Sequence, residues 1–191
     1  MPISVQYTGQ PDLERPEGIQ QAVWSRIIDA GMRPDQYHPG KFKHQLILVW
    51  QLAEQYEFEK KKLPCQQTAF VSNSINSDKA TLHKFIVGTL GPEIFTKPWD
   101  GAKTLDDLLI GKNCMLNIVR KIEKDKDGSE KTYMRVETVA PLMKNLSEIK
   151  VDPTVAPPKW IQIWLDDQTA KPADPSVANV KATLGDVLKN V

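Results

Sequence analysis

Few residues of this 191-residue chain are of the types that do covalent chemistry, and their spacing assembles none of the usual sites. Cys65 and Cys114 are the only cysteines. They stand far apart, without metal-ligand spacing, and read as buried thiols of a reducing compartment. His38, His44 and His83 are scattered, and His44 falls on an apolar strand face. No glycine-rich phosphate loop and no Ser/His/Asp arrangement stands out. The pair Asp106–Asp107 suits a helix N-terminus, and Asp166–Asp167 lies in the C-terminal stretch. No catalytic role, cofactor or metal is therefore expected. What remains is cations and flat rings. Arg26, Lys41, Lys43, Arg120, Lys121 and Arg135 can track phosphates, and Trp24 and Tyr133, with Trp50 as a third candidate, can stack bases. Each ring has a competing role. Trp50 sits on the apolar side of its strand and suits a core. Trp24 shares a period-two face with Gln20 and Arg26 and suits groove or core alike. Tyr133 shares a face with Arg135 and reads as groove. The net charge is only +1, so any nucleic-acid surface must come from how charges are placed.

The elements that must hold these residues are read from periodicity. Residues 41–52, KFKHQLILVWQL, put Phe42, His44, Leu46, Leu48, Trp50 and Leu52 on one face, and Lys41, Lys43, Gln45, Ile47, Val49 and Gln51 on the other. That is a strand with one buried face and one basic, working face. Residues 17–29 form an earlier strand with two mixed faces, and 63–75 a third. The charged run 54–62 reads as a solvated hairpin tip between them. Over 77–90 the period changes. Leu82, Phe85, Ile86 and Leu90 recur at three and four residues, which predicts a helix capped by Ser77 or Asp78 and ended at Gly88 or Gly91. A helical turn over 104–110, capped by Thr104, precedes a hairpin of 111–122 with 131–139.

Three regions follow: a lead-in over 1–14, a strand-rich unit over 15–145, and an extended tail over 146–191 with a short helix spaced along 176–191. The tail carries Pro153, Pro157, Pro158, Pro172 and Pro175. Its cluster of Trp160, Ile163 and Trp164 is expected to dock on a partner, or else to fold back over the unit's own open end. No run approaches a membrane span and no leader pattern opens the chain, so a cytoplasmic protein without membrane contact is expected.

Strand, strand, strand, helix, strand, strand is the chain order of an OB-fold. The expected class is mainly β (α+β): a five-stranded OB-fold-like barrel with one helix between strands three and four, plus a Pro-rich C-terminal extension. A resemblance points the same way. The strand from Gly18 to Ala30 with its Ile-Asp ending, the run KHQLILVWQL and the run LLIGKNCMLNIVRKIEKDKDGSEKTYMRVETVAPL resemble the small OB-fold single-stranded-DNA-binding proteins of bacteriophage replication and recombination modules. The likeness covers roughly residues 15–143. It implies sequence-tolerant binding of single-stranded DNA in a bacterial host cell, with a replication or recombination protein or a second copy of the chain as further partners. The chain departs from many such proteins at its end, which reads DVLKNV in place of an acidic tip. The alternative is a barrel of the same kind that docks protein and no nucleic acid, because fold alone does not set the ligand.

Overall fold

The computed structural model describes residues 16–35, 38–96, 104–124 and 128–166. The expected lead-in and the helical spacing of 176–191 lie outside those residues. The fold is mainly β. Five antiparallel strands, β1 (Gly18–Pro34), β2 (Phe42–Phe58), β3 (Lys61–Ser72), β4 (Asn113–Lys124) and β5 (Glu130–Pro141), form one sheet in the order β3-β2-β1-β4-β5. The sheet is not closed by a backbone ladder. Its edges β3 and β5 approach each other, and Gln67 Nε2 donates across to Met134 O at 3.3 Å. Among the described residues the helices are few: α1 (Thr81–Leu90), α2 (Leu105–Leu109) and α3 (Lys159–Asp166), with one 3-10 turn at Pro92–Phe95. None among the described residues is long and apolar enough to cross a membrane.

The even positions of β2 enter the main core as their alternation requires. Leu46, Leu48, Trp50 and Leu52 pack with Leu82, Phe85 and Ile86 of α1 and with Leu105, Leu108 and Leu109 of α2. The centre is aromatic. Trp24 and Trp50 lie 4.6 Å apart at 57°, and Phe85 meets Trp50 edge-on at 5.9 Å. Trp24 donates its indole N–H to Thr89 Oγ1 at 3.0 Å, and that hydroxyl donates on to Phe85 O at 2.9 Å.

In β1 the register shifts between Trp24 and Arg26 and again between Asp29 and Gly31. A bulge inserts one residue and turns everything after it to the other face. Strict alternation puts Trp24 and Arg26 together, whereas the extra residue, Ser25, separates them. Trp24 points into the core, and Arg26 pairs with Val49 on the opposite face.

Helix α1 begins at Thr81, later than the spacing predicts. Ala80 is its N-cap residue and has no side-chain cap; Ser77 Oγ instead accepts from Lys79 N in the turn ahead. The helix ends at Gly91, whose φ of 91° needs a glycine. Gly88 is not a terminator. It lets α1 lie on β5 so closely that a Cβ there would stand 2.1 Å from Val139 O. Thr104 caps α2 in a reciprocal box, accepting from Asp107 N at 3.2 Å while Asp107 Oδ2 accepts from Thr104 N at 3.1 Å. The charged run 54–62 is mostly strand. The β2–β3 ribbon continues to a two-residue turn at Glu59 and Lys60, both at positive φ, as tight hairpins need.

Candidate nucleic-acid interface

The sheet has a second face, away from α1. Paired residues of antiparallel strands share a face, so the register identifies its members. On β1 and β2 these include Arg26, Ile28, Arg33, Lys43, Gln45, Ile47, Val49 and Gln51. Phe70 joins them from β3 as the partner of Ile47. On β4 and β5 they include Asn113, Val119, Lys121, Tyr133 and Arg135, where Val119 pairs with Arg135 and Lys121 with Tyr133.

Over β1, β2 and β3 this face is not open, which corrects the reading of a free working face on residues 41–52. Residues 147–158 cross it as a strap and end in α3. Six side chains of the sheet donate to carbonyls of the strap and α3. Gln21 holds Ser147 O at 2.6 Å, Asn113 holds Ile149 O at 2.9 Å, and Gln51 holds Asp152 O at 2.8 Å. Arg26 holds Val155 O and Gln66 holds Ala156 O, each at 2.9 Å, and Arg33 holds Leu165 O at 3.1 Å. Two of these amides also accept. Gln51 Oε1 takes Asp152 N at 2.7 Å, and Asn113 Oδ1 takes Ile149 N at 2.9 Å, so each mimics one rung of a strand pair. The Asp152 carboxyl is held below its ordinary value by the Thr154 hydroxyl and then the Thr154 N–H, which close a tight turn on it.

Helix α3 completes the cover. Ile161 is buried against Ala30, Ile47 and Val49. Phe70 meets Trp164 at 4.9 Å and Trp160 at 5.6 Å, and the Arg33 guanidinium lies 4.2 Å from the Trp164 ring. The tail cluster expected to reach for a partner is thus divided. Trp160 and Trp164 pack on the sheet, and Ile163 stays 60% exposed on the outer side of α3.

The other expected site residues fall as follows. Trp24 is fully buried, so its ring offers no stacking surface; it shares the core face with Ala22 and pairs with Trp50, ahead of the bulge that turns Arg26 away. Trp50 is equally buried. Arg26 lies under the strap. Lys43 is partly covered and pairs with Asp35 at 3.3 Å, whereas Lys41, just ahead of β2, is exposed. Arg120 pairs across the ladder with Met134, which packs on the main core, so it points away from Lys121. It sits by Glu17 at 3.3 Å. Lys121, Tyr133 and Arg135 do come together, on the uncovered arm of the second face. Lys121 Nζ is 3.6 Å from Glu137, and Tyr133 donates its hydroxyl to Glu123 at 2.6 Å. Ile19, paired with Asn117, borders them at 64% exposure.

Comparison with known families, characterised proteins and solved structures gave no match.

Residue types alone did not mark Arg33 and Phe70. Both lie on the second face, and Arg33 is only 6% exposed. The signal for Phe70 was its alternation with Thr68 and Ser72 on β3. For Arg33 the bulges of β1 erase any simple period. Among the described residues no group of three or more His, Cys, Asp or Glu side chains is placed to hold a metal. Neither thiol is poised to react: burial pushes Cys114 up to about 12, and burial with the nearby Glu54 charge raises Cys65.

Proposed function

We propose that the sheet is an OB-type barrel whose seam lies between β3 and β5, and that its second face binds single-stranded DNA without sequence preference. The strand order, the position of α1 between β3 and β4, and the Gln67–Met134 bond across the seam support the barrel. The observation that carries the binding is that one face gathers cations and rings: Arg26, Arg33, Lys43, Lys121 and Arg135 with Phe70 and Tyr133. Cations meet phosphates and rings meet bases whatever the sequence. OB barrels take oligonucleotides on the face of strands two and three, here the region beneath the strap, and the β4–β5 arm extends it in the open. The reading assigns no catalytic step and no cofactor. It places the protein in phage DNA replication or recombination within a bacterial cytoplasm, as the sequence resemblance implies.

The arm's charges favour a second reading. Lys121 faces Glu137, Lys124 faces Glu130 and Arg120 faces Glu17, a balance that suits protein docking as well as phosphate. Titration of labelled oligo-dT at two salt concentrations separates the two. On single strands log K falls with log salt by about 0.7 per phosphate contacted. Salt-sensitive binding, weakened at least severalfold by Lys121→Glu with Arg135→Glu in a chain that still melts normally, is the expected result. No binding at low salt overturns the nucleic-acid reading and leaves the docking module.

A further inference from the structure

The strap and α3 present to the sheet what a single strand presents: a row of acceptors for donor side chains and flat rings for an aromatic. The resemblance is chemical and specific in place. Val155 O and Leu165 O occupy the donors of Arg26 and Arg33, and the indoles of Trp160 and Trp164 occupy Phe70. From this we infer that the surface beneath α3 and the strap residues just ahead of it, built of Arg26, Arg33 and Phe70, is a single-strand subsite held closed by an internal stand-in, and that a bound strand displaces α3 together with the strap from Val155 on. The inference rests on the single-strand reading above and deepens it.

Three features make α3 the part that leaves. It has eight residues, too few for a helix to persist in water once undocked. Its grip is narrow: Ile161 is its one buried residue, while Trp160, Trp164 and Leu165 are half-buried and Ile163 faces out. Finally, its carbonyls are neutral acceptors. A phosphate oxygen carries charge and makes a stronger bond to a guanidinium, so exchange of carbonyl for phosphate favours the strand. The 147–152 portion has a different hold, through the two-way amide pairs of Gln51 with Asp152 and Asn113 with Ile149. It stays seated when α3 lifts. The device lowers affinity in a graded way. A cover closed in about nine molecules of ten weakens apparent binding about tenfold, since only the open fraction is competent.

The test uses the full chain. Amide hydrogen exchange is followed over 147–166 with and without saturating oligo-dT, and affinity is measured for the parent, Ile161→Gln and the double variant Trp160→Ala/Trp164→Ala. Faster exchange in α3 on adding oligo-dT, unchanged protection at 149 and 152, and about tenfold tighter binding by Ile161→Gln are expected. The exchange result needs no variant, so it decides the matter if a variant fails to fold. If the parent binds oligo-dT while α3 stays protected, the strand lies elsewhere and the subsite is refuted, though the single-strand reading survives. If neither parent nor variants bind at low salt, both fail together.

Discussion

Gln51 is the residue through which the strap can be tested most sharply. Its side chain is 2% exposed in the middle of β2, and its amide both donates to Asp152 O at 2.8 Å and accepts from Asp152 N at 2.7 Å. Gln51→Leu keeps the volume close and removes both bonds. A net hydrogen bond contributes about 1 kcal/mol, which sets a lower figure of about 2 kcal/mol for the pair. A polar group orphaned without water costs about 1–3 kcal/mol, which sets an upper figure of about 6 kcal/mol if the strap stays in place. The strap need not stay. Once detached, Asp152 regains water and the loss is limited to the free energy of strap docking. An intermediate loss of about 2–4 kcal/mol is therefore expected. For a chain of this size each kcal/mol moves the melting temperature by about 2–4 °C. The assay is thermal and denaturant unfolding of Gln51→Leu beside Gln55→Leu, a control at an exposed position of the same strand. Asn113→Leu cuts the second amide pair, with Ile149. If the strap leaves as a unit, the Gln51→Leu and Asn113→Leu losses add to less than their sum. A Gln51→Leu chain that melts like the parent, or strict additivity of the pair, refutes a strap held in this way.

Other outcomes follow from the same geometry. Gly88→Ala should destabilise by about 1–3 kcal/mol on denaturant unfolding, although alanine is the better helix former, because its Cβ would meet Val139 O at 2.1 Å. Trp24→Phe should lower stability by removing the bond to Thr89 and part of a buried ring, yet leave oligo-dT affinity of the folded fraction unchanged. Alkylation at pH 8 should spare Cys114 until the chain unfolds, since a thiol pushed up to about 12 is almost wholly protonated there; mass spectrometry with and without denaturant reads this directly. Asp152 titrates below its ordinary 3.8, so its contribution to the strap turn is complete above that value and is lost as pH falls further; amide exchange at Thr154 should rise on acidification.

Periodicity was a good guide where one face of an element is wholly apolar. The even positions of β2, the spacing of Leu82, Phe85 and Ile86, and the Thr104 cap all read directly from residue types, because alternation and helical recurrence are set by backbone geometry. It misled where one residue breaks the count. Ser25 adds a position to β1 after Trp24, so Arg26 moved to the other side while Trp24, open to groove or core in sequence, stayed with Ala22 in the core. The strap was legible only in part. Gln51, Gln66, Asn113 and Gln21 look like ordinary solvated amides in sequence, and nothing local says that their partners lie far along the chain. The apolar odd positions Ile47 and Val49 were the hint: a working face open to water would not carry them side by side. Of the expected site residues, Lys121, Tyr133 and Arg135 share one face, since no bulge lies between them on either strand, whereas Arg120 faces the other way because adjacent residues of a strand alternate.

The strap's bonds span long stretches of chain: 126 residues from Gln21 to Ser147, 101 from Gln51 to Asp152 and 132 from Arg33 to Leu165. Closing such loops comes late, after the strands they cross have paired. On the ribosome the delay is enforced by the order of synthesis. All five strands are made by Pro141, and α3 ends at Asp166. At about 5–20 residues per second, the intervening stretch takes roughly 1–5 s to translate. For that interval the nascent sheet shows Ile47, Val49 and Phe70 bare, the surface a chaperone or another nascent copy would meet first.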